Sequence, residues 1–91
     1  MNIFSKTSFD RAFKKLSVQR QEEIREAARR LPEAFKRPHV HSGLGIRRIR
    51  NYFEFRVGLD LRVLFSVVDG DGILETVGNH DEIRRFIKEK S

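Results

Sequence analysis

Two arginines six residues apart, Arg56 and Arg62, flank Gly58-Leu59-Asp60 in the stretch "YFEFRVGLDLRVLFSV". Phe53, Phe55 and Val57 alternate there with Tyr52, Glu54 and Arg56. Leu61, Val63, Phe65 and Val67 alternate with Arg62, Leu64 and Ser66, so the pattern predicts the two strands of a hairpin. If the apolar sets face a core, Arg56 and Arg62 project together from the other face, where paired Cβ atoms lie about 4.5–5.5 Å apart. Two guanidinium groups so placed suit a phosphate, whose oxygens match their planar forks. Neutralisation by Glu54, Asp60 or Glu75 as ordinary surface pairs is the alternative, and spacing alone leaves both open.

The three histidines are His39, His41 and His80. His80 stands in "VGNHDEIRRF", where a strand ends at Gly78, Asn79 and Glu82 have the spacing of a helix cap, and His80 opens the last helix. Free backbone N–H groups at a helix start favour the neutral imidazole a base needs, while Asp81 pulls the other way. Local pattern alone also fits a residue that only starts the helix. His39 and His41 fall in a polar loop before the sheet; with no Cys and no HxxxH spacing, neither a metal nor a cofactor is expected.

The elements that must position these groups are readable from periodicity. Residues 2–6 suit a short strand. Thr7 and Asp10 have capping-box spacing before the helical stripe Phe9, Ala12, Phe13 and Leu16. Ser17 can cap a second helix with the stripe Val18, Ile24, Ala27, Ala28, Leu31 and Phe35, and Pro32 predicts a kink or an end near Leu31. "GIRRIRN" reads as a strand with Arg48 and Arg50 on one side, "VDGDG" as containing an Asp-Gly turn, "ILETV" as a strand, and Ile83, Phe86 and Ile87 as the stripe of a last helix. The expected fold class is α+β, in the order β-α-α-β-β-β-β-α. A helical hairpin covers one face of an antiparallel sheet, a short C-terminal helix follows, and the other sheet face is left for function.

A chain of 91 residues with 38% hydrophobic and 35% charged residues fits one domain over residues 1–91. No segment has the length and apolarity of a membrane span, and "MNIFSKTSFD" lacks a signal-peptide pattern, so a cytoplasmic location is expected. The net charge of +6 favours a polyanionic partner, and the basic excess lies mainly in the N-terminal half.

The hairpin motif "R-V-x-x-D-x-R-V-L-F" together with the terminal "VGNHDE" turn resembles the RelE/ParE superfamily of toxins from bacterial type II toxin-antitoxin systems, over essentially the whole chain. The resemblance to the RelE/YafQ-like branch implies an mRNA interferase: a ribosome-dependent endoribonuclease that inhibits translation by attack of a ribose 2′-OH on the adjacent phosphate. It implies Arg62 as the phosphate-stabilising arginine, with Arg56 beside it. Asp60 and His41 match positions of YafQ-like members, and His80 falls where the family has an Arg or His. Arg48 and Arg50 would bind the mRNA or rRNA backbone, and a cognate antitoxin protein is the implied partner. Two positions depart from the family: Phe86 stands where a Tyr is frequent, and Glu54 where a basic residue is common. The competing member of the superfamily is a ParE-like toxin that binds and inhibits DNA gyrase without cleaving RNA; a catalytically silent antitoxin-binding domain is a third reading.

Overall fold

The structure is a computed structural model that describes residues 1–37 and 43–90; the expectations for His39 and His41 lie outside those residues. The elements are β1 (Ile3–Ser5), α1 (Thr7–Lys14), α2 (Val18–Lys36), β2 (Arg47–Ile49), β3 (Tyr52–Val57), β4 (Leu61–Val68), β5 (Asp71–Gly78) and α3 (His80–Lys90). They form one five-stranded sheet in the order β1-β5-β4-β3-β2, antiparallel except where β1 runs parallel to β5. The expected α+β order is the observed one.

Alternation in β3 and β4 does what a period of two dictates: Phe55, Val57, Leu61, Val63 and Phe65 are buried together beneath α1 and α2, which contribute Phe9, Ile24, Ala27, Leu31 and Ala34. Phe55 and Phe65 are fully buried, and truncating such a ring to Ala costs about 3–5 kcal/mol. The β4–β5 connection uses Asp69 (φ 51°) and Gly70 (φ 82°), both left-handed, as a two-residue turn matched to strand twist requires.

Several local expectations are corrected. Of the kink or end expected near Leu31, the end is not found: α2 runs through Pro32 to Lys36. Its last turn buries Ala34 and sets Phe35 edge-on to Phe53 at 5.1 Å, an apolar gain that opposes the roughly 3 kcal/mol a helix-interior proline costs. Thr7 is not the cap of α1: Lys6 holds that position without a side-chain cap bond, and Asp10 instead accepts from the Ser5 hydroxyl at 2.7 Å. Val18, expected in the inward stripe, is 75% exposed because it precedes the first turn to face the sheet. Ser17 does cap α2, accepting from the Arg20 amide.

The second sheet face is not left open. α3 lays Ile83 and Ile87 over Leu64, flanked by Ile49, Tyr52 and Phe86. What remains uncovered on that face is a strip of polar and charged side chains beside α3. Among the described residues, no helix is long and apolar enough to cross a membrane.

Candidate functional site

The antiparallel register of β3 and β4 places Arg56 directly opposite Arg62, as alternation predicts. On its other flank Arg62 pairs with Gly78 of β5, so that neighbour contributes no side chain and the guanidinium has room. The two arginines differ in their surroundings. Arg62 is about three-quarters buried, and its Nη1 donates to Glu54 Oε1 at 2.8 Å. Arg56 is exposed and has no acidic partner among the described residues. Its guanidinium lies over Gly45, where a Cβ would stand 3.1 Å from Nε.

Glu54, one of the three acids expected as surface partners of the arginines, pairs with Arg62 but is buried rather than on the surface. Its carboxylate is 1% exposed, yet Oε1 accepts from both Arg62 and the Nε of Arg47 at 2.7 Å. Arg47 faces Glu54 because β2 pairs Arg47 with Glu54 and Arg48 with Phe53. The strand parity expected for "GIRRIRN" is therefore corrected. Arg48 lies on the α1/α2 side, its guanidinium 5.8 Å from the Phe53 ring centroid, and Arg50 is in the β2–β3 turn with a left-handed φ of 55°. An Arg in that region carries backbone strain of order 1–3 kcal/mol, partly relieved by the Arg48 Nε donating to the Arg50 carbonyl.

His80 opens α3. Asn79 Oδ1 accepts from the Glu82 amide at 2.9 Å while Glu82 Oε1 accepts from the Asn79 amide at 2.8 Å, a reciprocal cap that fixes where the helix begins. Gly78 makes that cap possible, since a Cβ there would be 2.9 Å from the Glu82 Cβ. From this corner the exposed His80 borders a cleft of about 250 Å³ whose other walls are Arg47, Ile49, Glu54, Ile83, Arg84 and Ile87. Arg62 stands one hydrogen bond behind that wall, through Glu54.

A second, larger cleft of about 560 Å³ shares Ile49, Arg84 and Ile87 with the first and adds Arg50, Arg85 and Lys88. No acidic residue lines it. Several cations of the N-terminal half are by contrast paired: Arg25, Arg29 and Arg37 each bridge a glutamate of α2, and Arg20 holds Asp60. The cations of α3, assigned only to solvated sides by periodicity, join Arg50 on the walls of this second cleft.

Asp60 sits in the turn between the strands of Arg56 and Arg62, and both its oxygens accept from Arg20 of α2. The Arg20 hydrogen bond holds the Asp60 carboxyl below its ordinary range. The same contact raises Arg20 above its own. Of the expected site residues, Arg56 and Arg62 stand side by side, His80 borders the cleft that Glu54 backs, and Asp60 is directed to α2.

No family model matches the chain, and no curated protein sequence matches it. Solved structures do. A copper-bound mutant toxin from Helicobacter pylori superposes with a TM-score of 0.73 at 21% identity, covering 91% of this chain and 98% of that one. RelE in an antitoxin–toxin complex with RelB from Methanococcus jannaschii gives 0.67 at 19%, covering 91% and 96%. This is the RelE-like toxin fold. YafQ from Escherichia coli shares it as well, at a TM-score of 0.62 and 12% identity over 90% of this chain and 96% of that one. Within the RelE-like fold, the buried Glu54 and its two arginines are read from this chain's own geometry.

Proposed function

We propose that this chain is the toxin of a toxin-antitoxin pair and a ribosome-dependent mRNA endonuclease. The observation that carries the reading is the juxtaposition of Arg56 and Arg62 on one sheet face, beside a cleft bordered by His80. The fold it shares with RelE and YafQ supports a toxin role.

In the proposed reaction the ribose 2′-oxygen forms a bond to the adjacent phosphorus, the bond from phosphorus to the 5′-oxygen breaks, and charge builds on the nonbridging oxygens. Arg62 and Arg56 stabilise that charge, as preorganised donors in a partly dry site do. His80 either takes the 2′-OH proton while water protonates the departing 5′-oxygen, or protonates that oxygen while water takes the 2′-OH proton. Arg50, Arg84, Arg85 and Lys88 bind the flanking RNA backbone as phosphate contacts. Asp60, anchored by Arg20, fixes the turn that sets the two catalytic arginines opposite each other. The cognate antitoxin covers the same basic surface with an acidic segment.

Expression in cells with primer extension on a translated reporter mRNA tests this directly. Cuts within codons that vanish in His80→Ala while the variant remains folded are the expected result; unimpaired cleavage by that variant would refute its role. A second reading, gyrase inhibition by binding, is favoured by two observations: Glu54 already occupies Arg62, and Phe86, which has no transferable proton, lies among the apolar contacts of α3. Intact mRNA with gyrase-linked DNA breaks selects it, and an inert wild-type protein selects a silent antitoxin-binding domain.

A further inference from the structure

We propose that Arg47 is a positioning residue whose task is to let Glu54 release Arg62 to a phosphate. The proposal rests on the reading of Arg62 as the phosphate-binding group and adds how that group becomes available.

Three adjacent strands meet at one carboxylate oxygen. Arg47 on β2 lies directly opposite Glu54 on β3, Arg62 reaches in from β4, and both cations donate to Glu54 Oε1, at 2.7 and 2.8 Å. The burial is graded: the Glu54 side chain is 1% exposed, that of Arg62 23% and that of Arg47 58%. A carboxylate so buried is strongly unfavourable without a cation. With Arg62 as sole partner, capture of Arg62 by a phosphate would strand Glu54, and the pair would resist opening. A second arginine on the same oxygen removes that obstacle, because a charge-assisted hydrogen bond survives when Arg62 leaves.

The surroundings permit the movement. Gly78, the β5 neighbour of Arg62, has no side chain to block it, and Arg56 on the other flank repels it toward an incoming anion. Two cations on one carboxylate also leave the cluster with a net positive charge before any ligand arrives. Arg47 therefore acts through Glu54 and needs no contact with RNA.

That distinction sets the test. The guanidinium NMR signals of Arg62 are followed in the full chain while a 2′-O-methyl RNA trinucleotide, which lacks the attacking hydroxyl, is titrated. The wild type is compared with Arg47→Ala, Glu54→Gln and the double variant. In the wild type the Arg62 signals shift on binding; in Arg47→Ala about tenfold more RNA is needed, since Glu54 now holds Arg62 alone. In the double variant the affinity returns to within about threefold of Glu54→Gln, because no buried charge remains to be stranded. Arg47→Gln, which retains a donor for Oε1, lies between and serves where Arg47→Ala does not fold. Equal loss from Arg47→Ala in both Glu54 backgrounds makes Arg47 a direct RNA contact and overturns the proposal while RNA binding by Arg62 stands. Arg62 signals that ignore RNA in the wild type overturn the phosphate reading itself.

Discussion

Glu54 Oε1 lies 2.8 Å from Arg62 Nη1, and the carboxylate that joins these two neighbouring strands is 1% exposed. Glu54→Ala leaves two cations facing a cavity. Breaking a fully buried pair costs 3–5 kcal/mol, but water reaches Arg47 and part of Arg62, so about 2 kcal/mol is expected. For a domain of this size that lowers Tm by roughly 8–16 °C, measurable by circular dichroism. A shift within about 2 °C would show that the pair contributes nothing to stability.

The cap of α3 offers a second prediction. Asn79→Ala removes the acceptor for the Glu82 amide and is expected to cost about 1 kcal/mol. Gly78→Ala costs more, since its Cβ would stand 2.9 Å from the Glu82 Cβ and push out the side chain that completes the cap. Amide hydrogen exchange in α3 measures both, with faster exchange expected at Glu82 and Ile83 than in β4.

The Asp60–Arg20 pair predicts a pH dependence of known sign. Arg20 lowers the Asp60 carboxyl in the folded state below its ordinary value of 3.8, so the folded state binds fewer protons there. Its contribution is present above pH 3.8 and is lost as pH falls through the depressed folded value. Asp60→Asn should therefore lower the neutral plateau of a Tm-against-pH curve slightly and flatten its acid limb by the same small amount, because the pair is exposed and screened. An unchanged acid limb in the variant would remove Asp60 as its source.

Charge removal on α3 separates binding from folding. Arg84→Ala with Arg85→Ala should reduce the slope of log affinity for single-stranded RNA against log salt by about 1.4, at roughly 0.7 per phosphate contact. Both side chains are exposed, so stability should change by no more than about 0.5 kcal/mol for each. An unaltered salt slope would place the RNA elsewhere.

The hairpin was the legible part of the site, because alternation fixes the face of every side chain once the strand is known: Phe55 inward puts Arg56 outward and opposite Arg62. The three-residue β2 is too short for alternation to determine its parity, so Arg47 and Arg48 exchange roles, and only pairing with β3 decides which meets Glu54. The register also shifts between Leu64 and Phe65, a bulge with no signature in the residue types. The stripe of α3 was plain, but the side of the sheet that it covers depends on how the chain leaves β5. That choice buries Glu54's neighbour Leu64 and turns an open face into a cleft. Pro32 was overruled for a tertiary reason, the burial of Phe35 against Phe53 and Phe65.

β1 lies parallel to β5, with the Lys6 amide donating to the Leu74 carbonyl and the Gly72 amide to that of Asn2. β1 therefore waits for β5 to be synthesised. Until residues 71–78 have emerged from a ribosome, β1 has no partner, β4 is itself a sheet edge, and α3, whose first residue is His80, does not exist. Such pairing of segments distant in sequence slows folding and makes it close to all-or-none. A nascent chain would thus gain the corner at His80 only after β5 has left the ribosome, so no shorter intermediate carries that cap-and-cleft arrangement.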